Sequence, residues 1–535
     1  MSPNRAANWA RSVFTPRPAW LVAAALLGSA FVWYATLSPL ESPYGVNKGR
    51  DRLHNLANSQ VAAAGHSPRQ TFQLDQAQPA GRPHWVFWSL FVALASGFQP
   101  DRVFAVYDLT GLVAALLWVV AVYVGLRPTR ACSDFTAWEA AMAAAFAALL
   151  SSQPLDFLGP YRTPWPMNFL LKPNHALALA LTPLFFRGFV QLRGWSGRAF
   201  AALGLNLLGW VFLLYMAYVT LGLIVFAALG WCLVTERRRR DTGDVAVVLA
   251  LNLCVGLPFL GPLIQGNPFL EPSLESVPVF SPHGLDVTVG SGWLFWGACL
   301  GSLVAIRRGR LGQLLTAQFG AGLAVSALYW PAQWLERVRS ADEIFYWLRF
   351  QMAILAAIGA LAVCRFAIVQ LWPRVRATEP LVAGTLCLTV LPLTLPIWWQ
   401  PRLMDQYHVA ALEPLPEALD SMGRWLRANT SRDAVVATDT AFAIHAAALG
   451  ATRVFLSDTN APPDRERRRQ ILDALTGGES PQAVTVARAA GVTHLIVTPS
   501  MRDEKGSFRT RRDLRLVFST PDGTIEVYEL MVHAP

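Results

Sequence analysis

A chain of 535 residues with 53% hydrophobic and 15% charged positions, 20 Trp, 29 Phe and a mean hydropathy of +0.35 is too apolar for a water-soluble protein of this length. Its net charge of +10 does not point to nucleic acid, because the arginines gather in short loops between apolar runs, where they set membrane topology. The six cysteines lie in or beside apolar segments without CxxC spacing, which argues against a disulfide framework or a zinc site.

In chain order, Arg5, Arg11 and Arg17 precede the apolar run 19–40, which is long enough to span. No clear small-x-small cleavage site follows it, so it reads as a retained first span with a cytoplasmic N-terminus. Further spans are expected at 102–126, 134–152, 174–192, 199–215, 217–235, 245–264, 291–306, 312–330, 346–368 and 380–399, eleven in all. With the N-terminus inside, the loops holding RPTR, RGWSGR, ERRRR, RRGR and PRVR all fall on the cytoplasmic side. Everything after Trp399 then lies outside.

The external loops are of a different kind. The first, 41–101, opens with "NKGRDRLHNLANSQ" (47–60) and carries "HWVFWSLFVALASGF" (84–98), an apolar run too short to span that belongs in the interface. The second, "LDFLGPYRTPWPMNFLLKPNH" (155–175), mixes proline, tryptophan and charge. A proline-rich loop at 265–290 and the charged, aromatic stretch 331–350 complete the outer face. From about Pro401 the composition turns soluble. Helices at 413–428, 440–449, 463–476 and 481–490 alternate with strands in 433–439, 452–458 and 493–499, before a final pair around "PDG". The expected fold is therefore mainly α, a polytopic membrane domain at 1–400 followed by an extracytoplasmic α/β domain at 401–535. No GxGxxG or GxxxxGK[ST] is present, so nucleotide binding has no support.

Asp51 sits at the outer lip of the first span between Arg50 and Arg52, with His54 on the same helical face. Read from spacing alone, it is a solvated loop acid or a carboxylate serving as a general base or metal ligand at the membrane surface. Nearby arginines would neutralise the phosphate of a lipid carrier. The plan of a cytoplasmic N-terminus, an acid soon after the first span ("GRDRLHNLANSQ"), a second interfacial helix at 84–98, many spans and a C-terminal extracytoplasmic domain resembles the GT-C superfamily of membrane glycosyltransferases.

That resemblance covers nearly the whole chain at the level of architecture. It implies transfer of a sugar from a polyprenyl-phosphate donor to an acceptor, which the sequence does not identify, on the outer face of a cell (inner) membrane. The first-loop catalytic acid maps onto Asp51, a second-loop acid onto Asp156, and the lipid-phosphate arginine at the outer end of a late span onto Arg349 in "EIFYWLRFQMAILAAIGAL". The first loop departs from the pattern in having no paired acid, the other carboxylates before Asp101 being Glu41 and Asp75. A divalent ion, if the chain holds one, would therefore rest on Asp51 alone.

The remaining candidates each carry a plain alternative. His54 assists the acid or is a half-exposed polar filler. Lys172 and His175, at the outer mouth of the fourth span, contact phosphate or sugar or anchor the interface, and Tyr161 and Arg162 are similar. Trp165, Trp334 and Trp347 read as an aromatic belt, and His445 and His494 as structural. Asp108, within an apolar run, faces a polar cavity or caps a neighbour. The rival from another class is a transporter or a non-catalytic envelope assembly protein. A transporter calls for broken spans or inverted repeats, and the sequence shows no repeat.

Overall fold

The computed structural model describes residues 17–37, 50–77, 83–128, 134–150, 293–329, 343–375, 378–398, 416–458, 464–506 and 508–531, with single positions between 177 and 190 and at 250 and 462. Nine helices among them precede residue 400: α1 Pro18–Leu37, α2 Arg50–Ala63, α3 Pro83–Ala95, α4 Val103–Leu126, α5 Ala137–Leu150, α6 Trp293–Ala305, α7 Gly309–Tyr329, α8 Glu343–Leu371 and α9 Glu379–Trp398. All but α2 and α3 stand where spans are expected, within a few residues. The expected spans 199–215 and 217–235 and nearly all of 245–264 lie outside the described residues, as do the second external loop and 265–290.

The bundle helices form because their runs are apolar throughout, and they are apolar on the outside as well. Leu109, Val113, Val120 and Val124 on α4, Trp296, Leu300 and Leu303 on α6, and Val363, Phe366 and Val369 on α8 are all exposed. Rows of that kind at helical spacing suit hydrocarbon rather than water. Two helical stretches, Pro100–Leu126 and Gln351–Leu371, are long and apolar enough to cross a membrane. Inside the bundle α6 packs against α8 through small residues. A Cβ at Gly301 would fall 1.7 Å from the Leu355 carbonyl oxygen, so no other residue fits that crossing.

One end of the bundle is an ion cluster. Glu139, buried at the start of α5, takes the Arg308 guanidinium at 3.0 Å, with Arg365 of α8 3.9 Å from the same carboxylate oxygen. Arg365 also pairs with Glu379 at the start of α9. The Glu139 carboxylate accepts from Thr136 N (2.8 Å) and its own N–H donates to the Thr136 hydroxyl (3.1 Å), a reciprocal cap on α5. Arg308 of the RRGR loop and Arg365 of α8 are thus tied at one end by a shared acid. Glu139→Ala leaves two guanidiniums facing each other, and we expect it to lower stability by about 3 kcal/mol, read as a fall in melting temperature in detergent. An unchanged melting temperature would mean that the cluster is held by solvent.

At the other end lies the C-terminal α/β layer. Helices α10 Pro416–Asn429, α11 Ala443–Gly450, α12 Arg465–Thr476, α13 Pro481–Ala489 and α14 Pro499–Lys505 alternate with strands β1 Val435–Ala437, β2 Arg453–Val454, β3 His494–Val497, β4 Leu514–Ser519 and β5 Glu526–Leu530. The sheet order is β2-β1-β3-β5-β4, with β2, β1 and β3 parallel and the last two strands antiparallel. Strand alternation divides the core in two. Val435, Ala437, Leu495 and Val497 pack with α12 and α13, whereas Val436, Val454, Ile496 and Val527 pack with α10 and α11.

The second face is also where the first external loop docks. Leu53 and Leu56 of α2, Phe72, Trp88 of α3 and Tyr107 of α4 belong to the same hydrophobic cluster as Leu419, Leu449 and Val527. Residues 70–77 fold back on themselves and add a strand to the sheet edge: Leu74 N donates to Val454 O and Val454 N to Phe72 O, both at 2.9 Å. Arg468 then clasps this edge by donating to Leu74 O (2.9 Å) and Phe455 O (2.8 Å).

Candidate functional site

Asp51 lies in the first turn of α2, where an acid complements the free N–H groups of a helix start. Its side chain and that of Arg50 fall outside the described residues. The helix itself is unusual, because its sequence is polar and yet every residue from Leu53 to Ala63 is buried. Buried polar groups must be satisfied internally, and most of these are. Asn58 accepts from Phe72 N at 3.0 Å with its carbonyl oxygen, which turns its amide nitrogen toward His54 Nε2, also at 3.0 Å. His54 Nε2 is therefore the acceptor, and the ring proton sits on Nδ1.

His54 meets Phe72 edge-on at 5.5 Å and is 8% exposed, so the half-exposed setting expected from the sequence is corrected to a buried one. On another side of α2 the Ser59 hydroxyl donates to Asn55 O (2.7 Å) and Trp88 Nε1 donates to the Tyr107 hydroxyl (2.6 Å). That leaves Tyr107 to donate to Ser59 at 3.0 Å. This chain joins α2, α3 and α4. Asp108, the next residue on α4, is half-buried.

Two contacts fix the direction of α2 against the sheet. Its C-terminal end is held just before β1, with Arg432 donating to Gly65 O and His66 Nε2 lying 2.9 Å from Arg432 O. Asn58, through Phe72, stands at the level of Val454, the partner of Val436 in β1. Helix α2 therefore runs antiparallel to β1. From Asn58 back to Asp51 the helix advances ~10 Å at about 1.5 Å per residue, the length of about three strand residues at about 3.3 Å each. The Asp51 backbone thus lies at the height of Asp439, just beyond the carboxyl end of β1.

Arg349 lies in the second turn of α8, sixteen residues before Arg365 of the ion cluster, a helical rise of ~24 Å. The structure places the backbones of Asp51 and Arg349 away from the arginine end, toward the sheet. The Arg349 side chain lies outside the described residues, as do Asp156, Tyr161, Arg162, Lys172, His175, Trp165 and Trp334. Two residues after Arg349, Gln351 donates from Nε2 to Leu315 O (2.8 Å) and to Gln318 Oε1 (3.0 Å), joining α8 to α7 deep in the bundle. Neither glutamine was singled out from sequence, although a polar residue in an apolar run was the available signal. Among the described residues no group of three or more His, Cys, Asp or Glu gathers as a metal site.

His445, buried in α11 beside Phe442, has its imidazole pKa pushed down by burial from 6.5 to about 4. Burial lowers His66 and His494 as well. A lowered histidine favours the fold wherever the unfolded chain is also neutral, above pH 6.5. That stability is lost as pH falls from 6.5 toward 4, because the unfolded chain binds a proton that the folded one refuses. For His445 the loss amounts to roughly 3 kcal/mol. We expect His445→Gln to flatten the decline in melting temperature between pH 7 and pH 4.5; an identical decline would place acid sensitivity elsewhere.

No family model and no curated protein matches the chain. Solved structures do. ArnT from Cupriavidus metallidurans bound to undecaprenyl phosphate aligns with a TM-score of 0.56 at 12% identity, over 97% of this chain and 100% of that one. Its apo form aligns with the same score over 96% and 99%. The archaeal oligosaccharyltransferase AglB from Archaeoglobus fulgidus, in complex with an inhibitory peptide and a dolichol-phosphate, aligns with a TM-score of 0.51 at 13% identity, over 96% of this chain and 75% of that one. At such identities the likeness shows the fold alone, which this chain shares with ArnT and AglB.

Proposed function

We propose that this chain is a multi-pass membrane glycosyltransferase that moves a sugar from a polyprenyl-phosphate donor to an acceptor on the outer face of the membrane. Asp51 activates the acceptor hydroxyl as a general base; a divalent ion, if bound, would be held by Asp51 and would supply Lewis-acid polarisation there. Arg349, with Lys172, receives the negative charge that builds on the departing lipid phosphate. Tyr161, Arg162, His175 and Asp156 are assigned to substrate binding, and His54 supports the helix that carries the acid.

The observation that carries this reading is the setting of α2. A polar helix is buried between bundle and sheet with its acid-bearing end at the sheet end, on a fold shared with a protein crystallised with undecaprenyl phosphate. Eleven spans, a cytoplasmic N-terminus and an extracytoplasmic α/β layer complete the proposal. The RRGR loop, whose Arg308 pairs with Glu139 at the end away from the sheet, supports that orientation.

Arg349→Lys tests the donor half. An ammonium keeps the charge and loses the two-pronged contact of a guanidinium with phosphate. We expect kcat/KM for a polyprenyl-phosphate sugar to fall about tenfold, with the loss carried largely by kcat because the charge builds in the transition state. Unchanged donor kinetics would remove Arg349 from the phosphate site.

A further inference from the structure

We infer that the crevice at the carboxyl ends of β1 and β3 is a binding subsite for a neutral polyhydroxylated ligand, the acceptor saccharide, built from Asp439, Thr438 and Ser500. This rests on the glycosyltransferase reading for the identity of the ligand, though not for the existence of the site. Two observations meet there, and a third lies beside it on the α2 face of β1.

The first is topology. From β1 the chain passes through α11 to β2 on one side, then returns through α12 and α13 to β3 on the other side of β1. An open parallel sheet whose order reverses between two strands opens a crevice outside their carboxyl ends, and ligands bind at such points. The second is chemistry. Asp439 follows β1, with one carboxylate oxygen accepting from Ala441 N (2.9 Å) and the other from the Ser500 hydroxyl (3.3 Å). Ser500, exposed beyond β3, also meets the Thr498 hydroxyl at 2.9 Å.

The third is an orphan. The Thr438 hydroxyl is buried, at 1% exposure, and has no hydrogen-bond partner. Continuing the alternation of β1, in which Val436 faces α2 and Ala437 faces α12 and α13, Thr438 faces the α2 side. A buried hydroxyl left without a partner is unfavourable and calls for a ligand or water atom. The donor and acceptor set selects the ligand class. A carboxylate with hydroxyls suits hydroxyl donors and repels phosphate, while the neighbouring Asp458 is engaged by Arg465 at 3.5 Å and is not free to complete a cation cage. The height of this crevice along β1 matches that of the Asp51 backbone.

The test is saturation-transfer NMR on the full chain in detergent, with methyl α-D-mannopyranoside, methyl β-D-glucopyranoside and methyl β-D-arabinofuranoside as probes. At least one glycoside should receive saturation. Asp439→Asn, which keeps the acceptor for Ala441 N, and Thr438→Val, which is isosteric, should each weaken its binding at least fivefold. Asp503→Asn, exposed on α14, should leave it unchanged. No saturation of any probe in the unaltered chain, or undiminished saturation in both variants with melting temperatures preserved, overturns the inference. Binding is read here without turnover, so the two readings fail separately. Transfer that survives Asp51→Asn would sink the assigned chemistry and leave this site standing. Glycoside binding indifferent to Asp439 would do the reverse.

Discussion

We expect Asp51→Asn to abolish sugar transfer, by about three orders of magnitude or more, while the protein is made and inserted normally. The substitution is nearly isosteric, and it removes the basicity of a general base and most affinity for a metal ion. Helix α2 should survive, since asparagine is well tolerated at a helix start and the packing of Leu53, Leu56 and Ala57 begins after it. Asp75→Asn is the matched control. Asp75 is an exposed turn residue at φ 55°, a conformation that asparagine adopts readily, and its activity should be near normal. Near-normal turnover by Asp51→Asn would return Asp51 to the status of a solvated acid at the lip of a span.

Residues 401–535 expressed alone do not reach a stable fold. The division expected at Pro401 follows a change in composition, and the hydrophobic core runs straight across it. Leu53, Leu56, Phe72 and Trp88 are buried at 2% exposure or less against the α10–α11 face. At about 2 kcal/mol for each such side chain, the fragment forgoes about 8 kcal/mol, as much as the whole stability of an ordinary domain. It also loses the strand at Phe72–Leu74 that covers the β2 edge, leaving β2 and the Arg468 guanidinium without those carbonyl partners. We expect weak near-UV circular dichroism and no cooperative thermal transition from the fragment, and recovery of both when residues 50–107 are supplied in the same polypeptide. A sharp transition in the bare fragment would show that the α/β layer stands alone.

Much of this architecture is legible in the amino-acid sequence, for identifiable reasons. The bundle helices are continuous apolar runs ended by arginines, and the α/β layer alternates two periods that differ, so both announce themselves. Helix α13 and strands β3, β4 and β5 fall within a residue or two of expectation because Ser480, Pro499 and the Pro521–Gly523 turn punctuate them. Helix α2 is the contrary case. Its polar composition reads as a wet loop, and only its partners, Phe72, Tyr107 and the α11 alanines, make its burial tolerable. Strand β2 shrank to Arg453–Val454 because its neighbour on one side is the distant segment 70–77, a pairing that no local pattern announces. The arginines of the short loops revealed topology, whereas Glu139, which pairs with Arg308 of one such loop and with Arg365 of α8, lies within an alanine-rich run and passed unnoticed.

The most direct test is a product assay with purified protein in liposomes carrying undecaprenyl phosphate linked in turn to hexoses and pentoses. The account predicts that at least one such donor is consumed, releasing undecaprenyl phosphate in step with glycosylation of an added saccharide acceptor, and that Asp51→Asn stops the release. Recovery of every lipid-linked sugar intact, with or without its passage across the bilayer, would contradict it.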